Sequence, residues 1–536
     1  MTLSALRVIA VSCLLLGCAL AQCPSGDDSS VQGLLTQAIS KAKADGVLGD
    51  KDFIWGTATA AYQVEGAWNE GGRVPSLWDN FAHEGKASND TGDVAVDFYH
   101  KYPEDIQMMK QLNFTHFRYS ISWPRVMNGL QRNEEGIQFY KDLTAELLKN
   151  NIEPVVTLFH WDLPDIYDWR NESLVEPFGQ YADIMFEALP DVKYWLTLNE
   201  PWVFCKLGYQ WGVYAPGVVS ETDFLTCGHN ALKAHAKAYS VWKTKYQASR
   251  PDTKVGITLN ADWRAALDPT NPDDVALSSK EMDLVLGWFA EPVYGSGDYP
   301  QSLKEHFAAD APVFTEEEKA SIKGSSDFFG LNFYTAIYVD STKPYGQHET
   351  VHRNGELIGE ETASEWLHIV PWGFSTMLKY IKNVWNPPSI IVTENGVSDG
   401  RASTDKETLV NDYGRVKFYQ DYLTEMAKAM IEDDVPVTGY IAWSLLDNFE
   451  WSQGYAERFG LTHVDFDDPA LPRTVKKSGE YFGSLIPNVT AQVEACSTGN
   501  DSTVATQGGD QQQWQDDWQQ QDGGDNWEGG DQQWLR

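Results

Sequence analysis

Two glutamates stand where paired carboxyl chemistry could be done. Glu200 follows the run 194–199 in YWLTLNEP, and Glu394 sits inside SIIVTENG at 389–396. Both runs carry the β-branched and aromatic bias of a buried parallel strand, and both end in polar residues. In a (β/α)8 barrel, the C-terminal ends of the strands are where catalytic side chains project. Two carboxyl groups facing one another across such a mouth meet the requirement for breaking a glycosidic bond.

The elements that must position them recur along the chain. Eight strand-like runs stand at 53–60, 115–120, 154–159, 194–198, 254–259, 328–332, 390–393 and 437–443, with helix-like stretches such as 140–150, 227–245 and 413–432 between them. This alternation predicts a parallel α/β sheet, and eight units predict a closed (β/α)8 TIM barrel over 51–487, with long loop insertions after the fifth and sixth runs.

Composition bounds the partners. The 536 residues include 21 Trp, 24 Tyr and 23 Phe and carry a net charge of −36, which argues against nucleic acid and anionic membrane and is indifferent to neutral sugars. Arg7, the apolar stretch 8–20 and Ala19-Leu20-Ala21 predict a secretory signal over 1–21, followed by a leader segment at 22–50. Thirteen apolar residues are too few to span a bilayer, which takes about 20. The expected location is therefore extracellular. Cleavage would leave Cys23, Cys205, Cys227 and Cys496, which allow three connectivities. Cys205–Cys227 is the candidate local bridge, and Cys23–Cys496 would tie the ends of the domain together. Glycosylation sequons stand at Asn89, Asn113, Asn171, Asn488 and Asn500.

Residues 488–536 differ in kind. QGGDQQQW (507–514), DGGDNW (522–527) and EGGDQQW (528–534) are imperfect repeats without a spaced apolar face. Such composition predicts a disordered tail, whose Trp514, Trp518, Trp527 and Trp534 could serve polysaccharide binding or self-association.

The motifs FIWGTATAAYQVEGAW (53–68), FRYSISWPR (117–125), HWDLP (160–164), TLNEP (197–201), NFYT (332–335), VTENG (392–396) and WSLLDNFEW (443–451) resemble glycoside hydrolase family 1, the β-glucosidase family, over about 53–486. The resemblance implies Glu394 as nucleophile and Glu200 as acid/base, with Arg118 and Tyr334 holding Glu394 as a carboxylate. It implies Asn199 against the hydroxyl next to the anomeric carbon, and Gln63, His160, Asn332 and Glu450 around the sugar. Trp443 would form the stacking floor, with Trp451 and Phe459 as further walls and Trp366 as the leaving-group platform, Trp372 close by. A proton on Glu200 would follow from the charge of Glu394 and from desolvation. The expected activity is that of a retaining exo-β-glycosidase acting on terminal β-glucosyl, galactosyl or fucosyl units. Glu450 stands where phosphosugar-cleaving members carry a phosphate grip, so a non-phosphorylated sugar is implied. Plant thioglucosidases of the family replace the acid/base by glutamine. Glu200 weakens that alternative without removing it, and retention of both glutamates weakens a non-catalytic binding role.

Several patterns mislead. GVSDG (396–400) fits a serine-hydrolase elbow around Ser398, but loop-like residues follow it. GSGDYP (295–300) lacks the third glycine of a dinucleotide loop, and His83 lacks the second histidine of a zinc helix. No metal or cofactor is expected.

Overall fold

A computed structural model describes residues 28–49, 51–399 and 405–498. Eight parallel strands close into a barrel in sequential order. They are β1 (Ile54–Ala58), β2 (His116–Ser120), β3 (Glu153–Phe159), β4 (Tyr194–Asn199), β5 (Lys254–Asn260), β6 (Phe329–Asn332), β7 (Ile390–Asn395) and β8 (Val437–Trp443). Each falls within a residue or two of its expected run, because strands walled by helices outside and side chains inside must be apolar almost throughout. β1 pairs with β8, Ile54 opposite Gly439 and Ala58 opposite Trp443, which shuts the barrel.

Helices ring the barrel. α1 (Val31–Ala44), α2 (Phe98–Gln111), α3 (Glu134–Lys149), α4 (Val175–Ala188), α5 (Asp223–Lys245), α6 (Pro371–Trp385), α7 (Tyr413–Glu432) and α8 (Lys477–Thr498) carry most of the outer layer. In α7 the buried positions Val416, Tyr419, Leu423, Met426 and Met430 recur at three- and four-residue steps, the stripe that seats a helix on a sheet. The insertions after β5 and β6 build a small three-stranded sheet from Trp263–Ala266, Ala336–Val339 and Glu349–Thr350.

Two boundaries differ from expectation. The leader at 22–50 contains α1, capped by the Ser30 hydroxyl, with Leu35, Ala38 and Ile39 buried against α7 and α8. The tail boundary at 487 falls inside α8, which continues to Thr498 with Val489 and Val493 buried at a four-residue step. The low-complexity repeats overshadow that short amphipathic stretch. The repeats themselves, the expected signal at 1–21, Cys23 and Asn500 lie outside the described residues.

Cys205 and Cys227 form a disulfide, joining the helix Pro201–Tyr209 after β4 to α5. Cys496 sits near the end of α8. Asn89 and Asn171 are exposed, and Asn488 is half-buried on α8. The Asn113 amide donates to the Gly483 carbonyl at 2.8 Å, so this sequon nitrogen is engaged in holding α8.

Candidate active site

Glu394 stands near the end of β7, where the strand loses register with both neighbours: between Val392 and Glu394 against β6, and between Val392 and Asn395 against β8. An irregularity of this kind re-aims a side chain. The carboxylate of Glu394 turns into the barrel mouth and is buried. Arg118 Nη1, from β2, donates to its Oε1 at 2.5 Å, and the Tyr334 hydroxyl donates to its Oε2 at 2.7 Å. Burial against Glu394 raises the Tyr334 phenol well above its ordinary pKa, so it stays a neutral donor. Arg118 is itself 1% exposed and gives three further N–H groups to Thr157 Oγ1, the Thr393 carbonyl and Asn199 Oδ1. The guanidinium therefore has one orientation, and it fixes that of Glu394.

Glu200 takes a left-handed conformation, φ 50° and ψ 63°, between β4 and the helix Pro201–Tyr209. β4 also slips against β5, between Leu196 and Asn199. Left-handed backbone at a non-glycine residue costs about 1–2 kcal/mol and persists only where the surroundings over-determine it. Here the Glu200 amide donates to the Thr258 carbonyl at 3.0 Å. The Glu200 carboxyl accepts from Asn332 Nδ2 at 2.7 Å. Burial, then the nearby charge of Glu394, push Glu200 well above the usual carboxylate range; the Asn332 hydrogen bond and Arg118 oppose that rise and do not cancel it. The two glutamates thus share a mouth and differ in environment: both are buried, but Glu394 is ion-paired with Arg118 while Glu200 is held by the Asn332 amide.

Asn199 ties the two halves together. Its Oδ1 accepts from Arg118 and, at 3.1 Å, from Asn332 Nδ2, which orients its amide nitrogen toward His160 Nε2 at 3.0 Å. His160 must therefore carry its proton on Nδ1, a buried atom without a partner among the described residues. Burial, then Arg118, keep the ring neutral by lowering its pKa well below the ordinary value. Gln63, just past β1, donates to Asn448 Oδ1, the Phe449 carbonyl and Glu450 Oε2 at 2.9–3.2 Å, and its Oε1 is likewise buried and unpartnered. Burial, Glu457 and Glu394 raise the Glu450 carboxyl well above its usual range. Trp443 and Trp451 are both buried and lie with their ring centroids 6.0 Å from that of His160, as walls of one compartment.

The outer lip is more open. Phe459 and Trp366 meet the Tyr334 ring edge-on at 6.2 and 5.7 Å. Trp366 is 53% exposed and Trp372 40%. The structure thus brings Gln63, Arg118, His160, Asn199, Glu200, Asn332, Tyr334, Trp366, Glu394, Trp443, Glu450, Trp451 and Phe459 to one end of the barrel. Sequence reasoning missed Thr157 and Thr393, which hold Arg118, and Asn448, which holds Gln63. Ser398 is buried, bonded to the Ser364 hydroxyl at 2.7 Å and to the Ser364 amide, and Ser364 in turn donates to Glu457 Oε2 at 2.5 Å, so the hydroxyl is a link in a buried polar network. Glu281, His348 and Glu349 place ligand-type atoms within 4.8 Å of one another. Arg264 already pairs with Glu349 at 3.0 Å, and His348 Nδ1 accepts the Gly346 amide, which leaves the proton on Nε2. That cluster has the chemistry of an ion-pair network.

With a closed eight-stranded barrel and two buried glutamates at its mouth in place, comparison decides the kinship. The family model for glycosyl hydrolase family 1 matches residues 49–490. The chain belongs to glycosyl hydrolase family 1. It is 42% identical over 457 residues to Beta-glucosidase 42 of Arabidopsis thaliana, covering 80% of this chain and 92% of that protein. It is 40% identical to human lactase/phlorizin hydrolase over 81% of this chain, and spans 24% of that longer protein. A family 1 beta-glucosidase of the fungus Humicola insolens, solved in complex with glucose, superposes with a TM-score of 0.78 at 39% identity, covering 81% of this chain and 98% of that one. An aphid myrosinase superposes at 0.75 and 34% identity, covering 82% and 98%. This family 1 member is accordingly a glycoside hydrolase of the β-glucosidase type.

Proposed function

We propose that the chain is a retaining exo-β-glycosidase that removes terminal β-glucosyl units, galactosyl or fucosyl units among the alternatives, from oligosaccharides or aryl and alkyl glycosides. The observation that carries this reading is the contrast between Glu394, held by Arg118 at 2.5 Å and Tyr334 at 2.7 Å, and Glu200, pushed well above the carboxylate range by burial and by Glu394.

In the first step the Glu394 carboxylate attacks the anomeric carbon while Glu200 gives its proton to the glycosidic oxygen. The carbon–oxygen bond breaks and the leaving group departs as a neutral alcohol. Esterification removes the charge of Glu394, so Glu200 keeps its new carboxylate form. In the second step Glu200 takes a proton from water, whose oxygen attacks the same carbon and releases Glu394. Two inversions retain the configuration, and the carboxyl groups of such a pair stand about 5–5.5 Å apart. Another alcohol in place of water would give transglycosylation. The half-buried carboxyl of Glu450 disfavours a phosphate on the sugar, and Glu200, a glutamate, supports oxygen over sulfur glycosides. Residues 1–21 would direct secretion, and 499–536 would form an appended segment.

Glu394→Gly tests the core of this reading. Hydrolysis should fall by several orders of magnitude, and azide should restore turnover as the glycosyl azide of inverted configuration. Activity retained without azide would remove Glu394 from the nucleophile's role.

A further inference from the structure

The turn that carries Glu450 and Trp451 is tight and strained. The Glu450 amide donates to the Gly454 carbonyl at 2.6 Å, and the Gln453 amide returns to the Glu450 carbonyl at 2.9 Å. To close the turn, Trp451 takes φ 49°, left-handed for a residue with a side chain. Gly454 takes φ 59° and ψ −127°, where glycine alone goes readily. Such backbone persists only where the surroundings over-determine it.

The Trp451 ring packs against Trp161 and Trp78, with centroids 4.4 and 4.7 Å away. The backbone that follows is held by residues 88–91, a segment far away in sequence. Asp90 Oδ2 accepts the Tyr455 amide at 3.1 Å, and the Ser88 hydroxyl donates to the Ser452 carbonyl at 2.9 Å. The Tyr455 hydroxyl donates to the Thr91 carbonyl at 2.8 Å. A Cβ on Gly454 would stand 2.1 Å from Asp90 Oδ2, so the carboxylate fills the space a side chain would need. The segment is bent to reach the turn: Ser88 and Asn89 are left-handed at φ 56° and 62°, and the Asp90 amide donates to the carbonyl of buried Ala87 at 2.9 Å. The contact extends to Gln63, because the Tyr455 ring meets Phe449 edge-on at 5.6 Å and the Phe449 carbonyl accepts from the Gln63 amide.

With the proposed function as its basis, we infer that Asp90 is a positioning residue for the sugar site: through the Tyr455 amide and the open face of Gly454 it fixes the turn that presents Glu450 and Trp451. Its influence on the sugar passes through those two residues. Losing it should therefore weaken the hold on the sugar by one factor, whatever the leaving group.

The test compares wild type, Asp90→Ala and Asp90→Asn for kcat/KM on an aryl glycoside and on an alkyl glycoside of the same sugar. Inhibition by that free sugar is measured alongside. In Asp90→Ala both kcat/KM values should fall roughly tenfold, the effect of one hydrogen bond, and the inhibition constant should rise by a similar factor. Asp90→Asn keeps an oxygen for the Tyr455 amide and should recover most of both. An inhibition constant unchanged in Asp90→Ala overturns the inference even if rates fall, since a general loss of folded enzyme lowers the rate without weakening the sugar. An asparagine variant as impaired as the alanine one overturns it as well. Should Asp90→Ala not fold, Ser88→Ala removes the strap's other side-chain bond from an exposed residue. It should raise the inhibition constant about threefold, and no change would overturn the inference. A wild type inert on every glycoside fails the proposed function itself, which is a separate outcome.

Discussion

The two sides of the mouth are built on different principles. Around the proposed sugar site, Gln63, His160, Trp443 and Trp451 are buried and Glu450 is half-buried; the Gln63 amide nitrogen and His160 Nε2 are committed to neighbours, while Gln63 Oε1 and His160 Nδ1 face the compartment without a partner among the described residues. On the proposed leaving-group side, Trp366 and Trp372 stand exposed, and Trp366 touches the site through the edge of Tyr334. Buried polar groups held in one orientation and left for the substrate to pair discriminate sharply, because a wrong substrate leaves them unsatisfied. An exposed indole offers area with little direction, and it accepts many partners. On the proposed function, selectivity for the sugar and tolerance for what is attached to it would therefore be properties of packing density.

Glu200, on the boundary between the two sides, gives the largest expected effect. Glu200→Ala should cost on the order of 10³-fold or more in kcat/KM on alkyl glycosides, which need protonation, and far less on activated aryl glycosides. Equal losses would show that it is not the acid. The pH profile gives an independent reading. A raised pKa keeps the proton to higher pH, so the active form of Glu200 is present below its folded pKa and is lost as pH rises through it. Glu200→Gln should remove the alkaline limb measured on an activated aryl glycoside. A limb that stays in place would belong to another group.

Glu450→Gln sharpens the comparison from the sugar side. It should lower kcat/KM about 10–100-fold, by a similar factor for every leaving group, since the contact it disturbs lies on the sugar. A strong dependence on the leaving group would place Glu450 elsewhere. Trp366→Ala should be the mildest, up to about tenfold, with a factor that varies from one leaving group to the next. A uniform loss across a panel of glycosides would mean that Trp366 supports Tyr334 rather than the leaving group.

The barrel was legible in the sequence because strands buried on both faces read as continuous apolar runs, as in 154–159 and 390–393. Both glutamates were legible because each terminates such a run. What could not be read was lateral. The register slips that aim Glu394 and Glu200 depend on neighbouring strands that are distant in sequence. His235 on α5, held between Thr197 Oγ1 at 2.6 Å and Ser325 Oγ at 3.0 Å, is a buried neutral histidine, its pKa lowered to about 3 by burial. Nothing local distinguishes it from a ligand. α1 and the end of α8 were read as leader and tail because their apolar stripes are short and their partners lie at the opposite end of the chain.

The pairing of β1 with β8 joins residues nearly the whole domain apart, Ala58 with Trp443. On the ribosome, at about 5–20 residues per second, the interval between the two is roughly 20–80 s. Throughout it β1 can offer an open edge to any extended segment nearby, and an open edge invites misassembly. The nascent chain is thus most exposed to error at its first strand, and a chaperone that shields 54–58 until 443 has emerged would raise the yield of closed barrels.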